Sequence, residues 1–257
     1  MNIVPSPEQL AIIGYPADKP LRVDAGAGTG KTTTIVLRLQ AAIEGGIAPE
    51  RALGLTFTNK AAEELSDRLR EALPQLAAEG REVEVTTYHG FAYGLLREFG
   101  AFVGVERDVR LIGPGYVREL IHQELATGAH YDFLDLTNPP GRVSETATLL
   151  RHLADNLAGP ESLHDTGEPA DEIAGRRGEL AAIAQRVEET KRRLGLVDYG
   201  DLVRLVHQLL ASNPLLAERI AARYRMVLLD EYQDTDPGQR EMLRLLFHNG
   251  FPLTAVG

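Results

Sequence analysis

Apolar positions along this chain follow two periods, and the changes between them divide it. Apolar runs of strand length occur at 52–57 (ALGLTF) and 226–230 (MVLLD), and strand-like stretches at 21–25 (LRVDA), 83–87 (VEVTT) and 253–257 (LTAVG). The run 226–230 is of the kind found in strands covered on both faces. Helical spacing follows the first three in chain order. TTIVLRLQAAI ends at Gly45-Gly46, a helix with Ala61, Ala62, Leu65 and Leu69 on one face is capped by Thr58 or Asn59, and a third stretch runs through Phe99. Strand, loop and helix thus repeat three times, which predicts a parallel sheet with crossover helices and loops gathered at the carboxyl ends of its strands.

The rhythm stops near Phe102. From 103 to 194 no clear strand is legible, and Gly113-Pro114-Gly115, 138–141 (NPPG) and 158–161 (AGPE) read as loop punctuation. Between them Leu149, Leu150, Leu153 and Leu157 share one helical face, as do Leu180, Ile183, Ala184 and Val187. The expectation is a mostly helical insertion at 103–194 within an α/β domain formed by 1–102 and 195–257. The basic run Lys191-Arg192-Arg193 reads as solvated surface, with a nucleic-acid contact as the alternative. Leu202, Val203, Leu205, Val206, Leu209 and Leu210 form a further helix face closed by Asn213-Pro214, after which the sheet rhythm resumes.

Composition narrows the class. At 257 residues and 44% hydrophobic the chain can bury a full core. Without cysteine, a disulfide framework, a thiolate zinc site and a cysteine nucleophile are excluded. No run reaches the length of a bilayer span and the amino terminus lacks a signal pattern, so the reading is a soluble, cytoplasmic protein with no membrane partner. A net charge of −10 argues against coating nucleic acid through a global basic field, though it leaves room for a local groove.

The candidate chemistry centres on 21–34, LRVDAGAGTGKTTT. Gly26, Gly28 and Gly30 allow a tight turn whose N–H groups, with the opening helix, cradle a polyphosphate; Ala25, Ala27, Thr29 and Thr33 complete the loop. Lys31 would reach the β- and γ-phosphates of ATP, and Thr32 would ligate Mg2+. Ala25 replaces the first glycine of the strict pattern; the alternative is a glycine-rich turn with an incidental lysine. The second anchor is Asp230-Glu231, which closes an apolar strand. Asp230 would hold Mg2+ and Glu231 would orient and deprotonate water. The alternative, an acidic helix cap, is better supplied by Asp236-Pro237-Gly238-Gln239. Near the start, Ser6-Pro7-Glu8-Gln9 has the form of a capping box, which gives Gln9 a local role.

The segments AGAGTGKTTT, LTFTNKAAEELSDRL, TTYHGFAYGLLREF, VDYGDL and VLLDEYQDTDPGQ resemble, in order, the motifs of the UvrD/Rep class of superfamily 1 helicases, which includes the RecB and AddA subunits. The resemblance covers most of the chain outside 103–194, where that class inserts its helical 1B subdomain. It implies a RecA-like P-loop domain 1A carrying 1B, acting as the ATP-binding half of a 3′-to-5′ DNA helicase in repair or recombination. By the same resemblance Gln9 reads adenine, reversing the capping preference, since one glutamine does not easily do both. Gln233 joins the nucleotide contacts. Phe57 stacks on a base of single-stranded DNA, Thr58 and Asn59 hold its backbone, and Thr87 and His89 form the next DNA contact. Tyr88 and Gly90 stand where the class has phenylalanine and serine, and Gly200 where it has an acid. The motif that begins like Ala255-Val256-Gly257, the second RecA-like domain and its arginine fingers would follow, so these residues alone are expected to hydrolyse ATP poorly, by about three orders of magnitude or more. A helicase–nuclease of the RecB/AddA kind and a P-loop switch that unwinds nothing are the alternatives.

Overall fold

The computed structural model describes residues 5–26, 28–127, 131–163, 172–248 and 250–257. Its strands are β1 (Leu21–Val23), β2 (Ala52–Thr56), β3 (Glu84–Thr87), β4 (Arg110–Leu111), β5 (Leu196–Val197), β6 (Met226–Leu229) and β7 (Leu253–Val256). The helices are α1 (Pro7–Ile13), α2 (Lys31–Glu44), α3 (Asn59–Ala72), α4 (Pro74–Ala78), α5 (Tyr88–Phe99), α6 (Pro114–Ala126), α7 (Pro139–Asp155), α8 (Glu172–Arg193), α9 (Tyr199–Ser212), α10 (Pro214–Ala221) and α11 (Pro237–Leu246). All five predicted strands form one sheet, ordered β1-β7-β6-β2-β3 and parallel throughout. This is the RecA-like P-loop arrangement. No described helix is long and apolar enough to cross a membrane.

Contacts divide the chain into two compact units. The first, Met1–Phe91, Asn213–Thr235 and Leu243–Gly257, holds the five-stranded sheet. On one face Ile35, Val36, Leu39 and Ala42 of α2 and Leu65 and Leu69 of α3 pack on Ala52, Met226, Leu228 and Val256. Residues of the opposite parity, Leu53, Leu55, Val227 and Leu229, are equally buried, which explains why β2 and β6 are apolar without alternation.

The second unit, Ala92–Ser212 with Asp236–Met242, is mostly helical. Its core joins Val117, Leu120, Ile121 and Leu125 of α6, Val143 and Leu150 of α7, and Ile183, Ala184 and Val187 of α8. Three local readings change here. Gly113 and Asn138 are helix N-caps, and the prolines after them open α6 and α7, because a missing N–H costs nothing in a first turn. Arg110–Leu111 and Leu196–Val197 pair as a two-stranded parallel sheet, too short to leave a period-two signal. Leu157 lies beyond the end of α7 at φ 56°, off the helical face. Contacts group 92–102 and 195–212 with the helical stretch 103–194, where α9 packs against α7 and the turn Gly100–Val103.

The basic run gives the largest surprise. Lys191 is 2% exposed, while Arg192 and Arg193 are on the surface. Its Nζ donates to Asp198 at 2.8 Å and Asp201 at 2.7 Å, and pairs with Glu188 at 2.6 Å. Arg204 bridges Asp201 and Glu188 from the other side. Asp198 and Asp201 also accept each other's backbone N–H, which caps the start of α9. Burial pushes the Asp201 carboxyl up, but the charges of Lys191 and Arg204 outweigh it and hold it below the ordinary carboxylate range. Between these acids stands Gly200, where a Cβ would lie 2.5 Å from that of Ala154; no side chain fits there.

Replacing Lys191 by Met should therefore cost about 3–5 kcal/mol of stability at neutral pH, because it strands buried carboxylates. Asp201 has a depressed pKa in the folded protein, so its contribution is present above the ordinary carboxylate pKa and is lost as pH falls through the folded value. The deficit of Lys191→Met relative to the parent should accordingly shrink as the pH is lowered to about 4 and below, measured by urea unfolding at both pH values.

Candidate nucleotide site

Parallel register places the ends of β1, β2, β3, β6 and β7 on one edge of the sheet. The residues that follow them carry the chemistry. After β1 the chain turns through Gly28 at φ 76° and Gly30 at φ 83°, left-handed conformations that favour glycine, and enters α2 with Lys31 as its first residue. Thr29 Oγ1 donates to the Gly26 carbonyl at 2.9 Å and closes the turn. Ala25 donates its N–H to Gly257 and ties the loop to the end of β7. Thr32 and Thr33 sit in the first turn of α2, and Ala27 lies outside the described residues.

Across the edge, Lys31 Nζ lies 2.9 Å from Glu231 Oε2 although 200 positions separate them in sequence. Gln233 Nε2 donates to the same oxygen at 2.6 Å. These two donors, Gln233 first and then Lys31, hold the Glu231 carboxyl below its usual range. Glu231 itself has φ 51° and ψ 41°, a left-handed backbone that a long side chain rarely adopts. Asp230 is 7% exposed. Burial and then the adjacent Glu231 charge push its carboxyl up, and the Glu231 N–H donated to its Oδ1 at 3.0 Å opposes them.

Gln9 takes the capping role and also reaches the phosphate loop. Its Oε1 accepts the Ser6 N–H at 2.9 Å, its own N–H reaches Ser6 Oγ at 3.3 Å, and its Nε2 donates to the Thr29 carbonyl at 3.0 Å. The capping box forms, and the same amide touches the phosphate loop. A carboxamide oxygen has two lone pairs and its nitrogen two hydrogens, so one of each is left over.

Phe57, 40% exposed, follows β2 and meets Tyr88 edge-on at 6.3 Å between ring centroids. Thr58 rather than Asn59 caps α3, accepting the Ala61 N–H at 3.1 Å, and Asn59 is the helix's first residue. Thr87, at the end of β3, accepts the Gly90 N–H at 2.9 Å, and His89 lies half-buried in the first turn of α5. A Cβ at Gly90 would collide with the Thr86 hydroxyl, which accounts for glycine there. Sequence reasoning missed Tyr88. Its ring is buried, burial pushes its phenol pKa up, and its hydroxyl donates to the Asp230 carbonyl at 3.3 Å. The extra hydroxyl relative to phenylalanine was the signal.

A glycine-rich turn running into a helix, opposed by two acids at the end of a central strand, defines a P-loop nucleotide-binding domain of the RecA-like kind. The family described as "UvrD/REP helicase N-terminal domain" matches residues 6–257, and the chain belongs to it. Among its relatives, the ATP-dependent DNA helicase Rep of Salmonella typhimurium is 28% identical over 93% of this chain and 33% of its own length. The ATP-dependent DNA helicase UvrD2 of Mycobacterium tuberculosis is 30% identical over 93% of this chain and 34% of its own. The ATP-dependent DNA helicase PcrA of Leuconostoc citreum is 27% identical over 93% and 30%. The chain thus spans about a third of the length of the curated relatives it matches.

The backbone of Glu231 yields a stability test. A left-handed residue costs about 1–2 kcal/mol, at least as much as the partly exposed Lys31–Glu231 pair returns, a surface pair being worth about 0–1 kcal/mol. Glu231→Gly should hence unfold at a denaturant concentration no lower than the parent's, even though it loses the Lys31 and Gln233 contacts.

Proposed function

We propose that this chain is the ATP-binding portion, subdomains 1A and 1B, of an ATP-dependent helicase that translocates 3′ to 5′ on single-stranded DNA in repair or recombination. The observation that carries the reading is the 2.9 Å contact between Lys31 and Glu231, which brings the phosphate-binding and water-activating candidates to one point. The first unit corresponds to 1A and the second to 1B.

The residues fit Mg·ATP. Gly26, Gly28 and Gly30 would offer backbone N–H groups to an anion at the start of α2, with Ala25, Thr29 and Thr33 beside them. Lys31, held by a carboxylate, is positioned to exchange that partner for phosphate oxygens. Thr32 and Asp230 are the hard oxygen ligands suited to Mg2+. When bound, the ion would neutralise charge on the phosphate oxygens. Glu231, kept ionised by Gln233 and Lys31, is in the state a general base requires. Gln9 keeps one donor and one acceptor for a base.

For DNA, the exposed face of Phe57 offers a stacking surface, and Thr58, Asn59, Thr87 and His89 lie on the same sheet edge as candidates for backbone contact. Stacking without base reading suits a motor that must pass every sequence. A second RecA-like domain would supply the cations for the transition state, and the names of the relatives support ATP-dependent action on DNA.

The test is ATP turnover by the full-length protein with and without single-stranded DNA. Turnover should rise strongly with DNA, and Glu231→Gln should lower it by about 10²–10⁴-fold, the range for loss of a general base, while leaving Mg·ATP binding intact. Turnover indifferent to DNA would refute the motor and leave a nucleotide switch.

A further inference from the structure

α1 is attached to its unit in an unusual way. None of its seven residues is fully buried, and Leu10 is 55% exposed. Apolar packing therefore contributes little to its position, and polar contacts must set it. One is the Gln9–Thr29 bond already described. The other is Arg38, on α2 seven positions after Lys31 and 2% exposed.

Among the described residues Arg38 pairs with no carboxylate. Its Nη1 donates to the carbonyls of Ile12 at 2.6 Å and Tyr15 at 2.8 Å, its Nη2 to that of Pro16 at 3.5 Å, and its Nε to Thr254 Oγ1 at 3.0 Å. The guanidinium also lies 5.7 Å from the centroid of the Tyr15 ring. One side chain thus gathers the carbonyls at the end of α1 and fastens them to α2 and β7. A lysine has three donors on a single point and could not span these directions.

Beside this clamp is a cavity of about 310 Å³, lined by Gln9, Ile12, Gly26, Thr29 and Arg38 among others. It adjoins the phosphate loop. The free donor and acceptor of Gln9 match the donor–acceptor pair of adenine, N6–H and N7, and clash with guanine, which presents acceptors at both O6 and N7.

We propose that Arg38 is a positioning residue that fixes α1 so that Gln9 selects adenine over guanine nucleotides. The proposal rests on the reading of the loop as an ATP site. It assigns Arg38 no contact with the nucleotide, so that losing it changes discrimination between bases and leaves phosphate capture alone.

The experiment is calorimetric titration of the 257-residue chain with ATP, GTP and inorganic triphosphate, each with Mg2+. The parent should prefer ATP to GTP by about tenfold, within the discrimination that a two-point amide–base contact provides. Arg38→Lys and Arg38→Gln should erase most of that preference and keep triphosphate affinity within about twofold of the parent. Gln9→Ala should have the same signature, and combining it with Arg38→Lys should add nothing further. Unchanged ATP-over-GTP preference in the Arg38 variants overturns the proposal. So does an equal loss for all three ligands, or failure of both variants to fold, since either places Arg38 in the general support of the unit. If the parent binds none of the three ligands, the ATP-site reading itself fails, an outcome distinct from the others.

Discussion

Parallel hydrogen bonding between strands far apart in the sequence is the constraint on which the site depends. β6 and β7 insert between β1 and β2, so the turn after β1 and the acids after β6 share one edge. No local interaction could bring Lys31 and Glu231 together across 200 positions; the ladders Leu21↔Thr254, Leu228↔Thr254 and Leu53↔Val227 do. The apolar faces that seat α2 and α3 on these strands serve the same end. They hold the start of each helix against the strand edge, where its unsatisfied N–H groups meet whatever anion arrives.

Much of this was legible because the relevant signals are local and redundant. The five strands of the main sheet were apparent from apolar or strand-like stretches, and the loop from glycines that allow a tight turn, two of which, Gly28 and Gly30, take left-handed φ. What was not legible depended on partners distant in sequence. Lys191 sits in a basic triplet that looks solvated, and only the fold brings Asp198 and Asp201 over it. Tyr88 looks like a neutral replacement for phenylalanine until Asp230 is placed within reach of its hydroxyl. Proline-containing segments misled for a different reason: the same residues that break a helix internally are suited to its first turn, and only the backbone distinguishes the cases.

The two units spend polar groups differently. In the helical unit, Glu188, Lys191, Asp198, Asp201 and Arg204 satisfy one another almost completely, and their geometry joins α8 to the start of α9. In the nucleotide unit the polar groups are arranged with capacity to spare. Among the described residues Lys31 has one acceptor for three hydrogens and Gln9 keeps half its valence, and Glu231 holds a backbone shape that resists it. Saturation gives rigidity and unsaturation gives reactivity, and the chain separates the two by fold position.

The sparse burial of α1 has a kinetic and entropic side. A helix of seven residues, below the length at which isolated helices persist, and held mainly by polar contacts, forms a small cooperative unit with a low free energy of opening. Amide hydrogens there would exchange well before those of β2 or β6. Any ligand that needs α1 in place must draw on its closed population, so the measured affinity is the intrinsic one scaled by that fraction. The order of a single surface helix thereby becomes an adjustable resistance in series with binding, one that sequence change on α1 can tune without altering the phosphate loop.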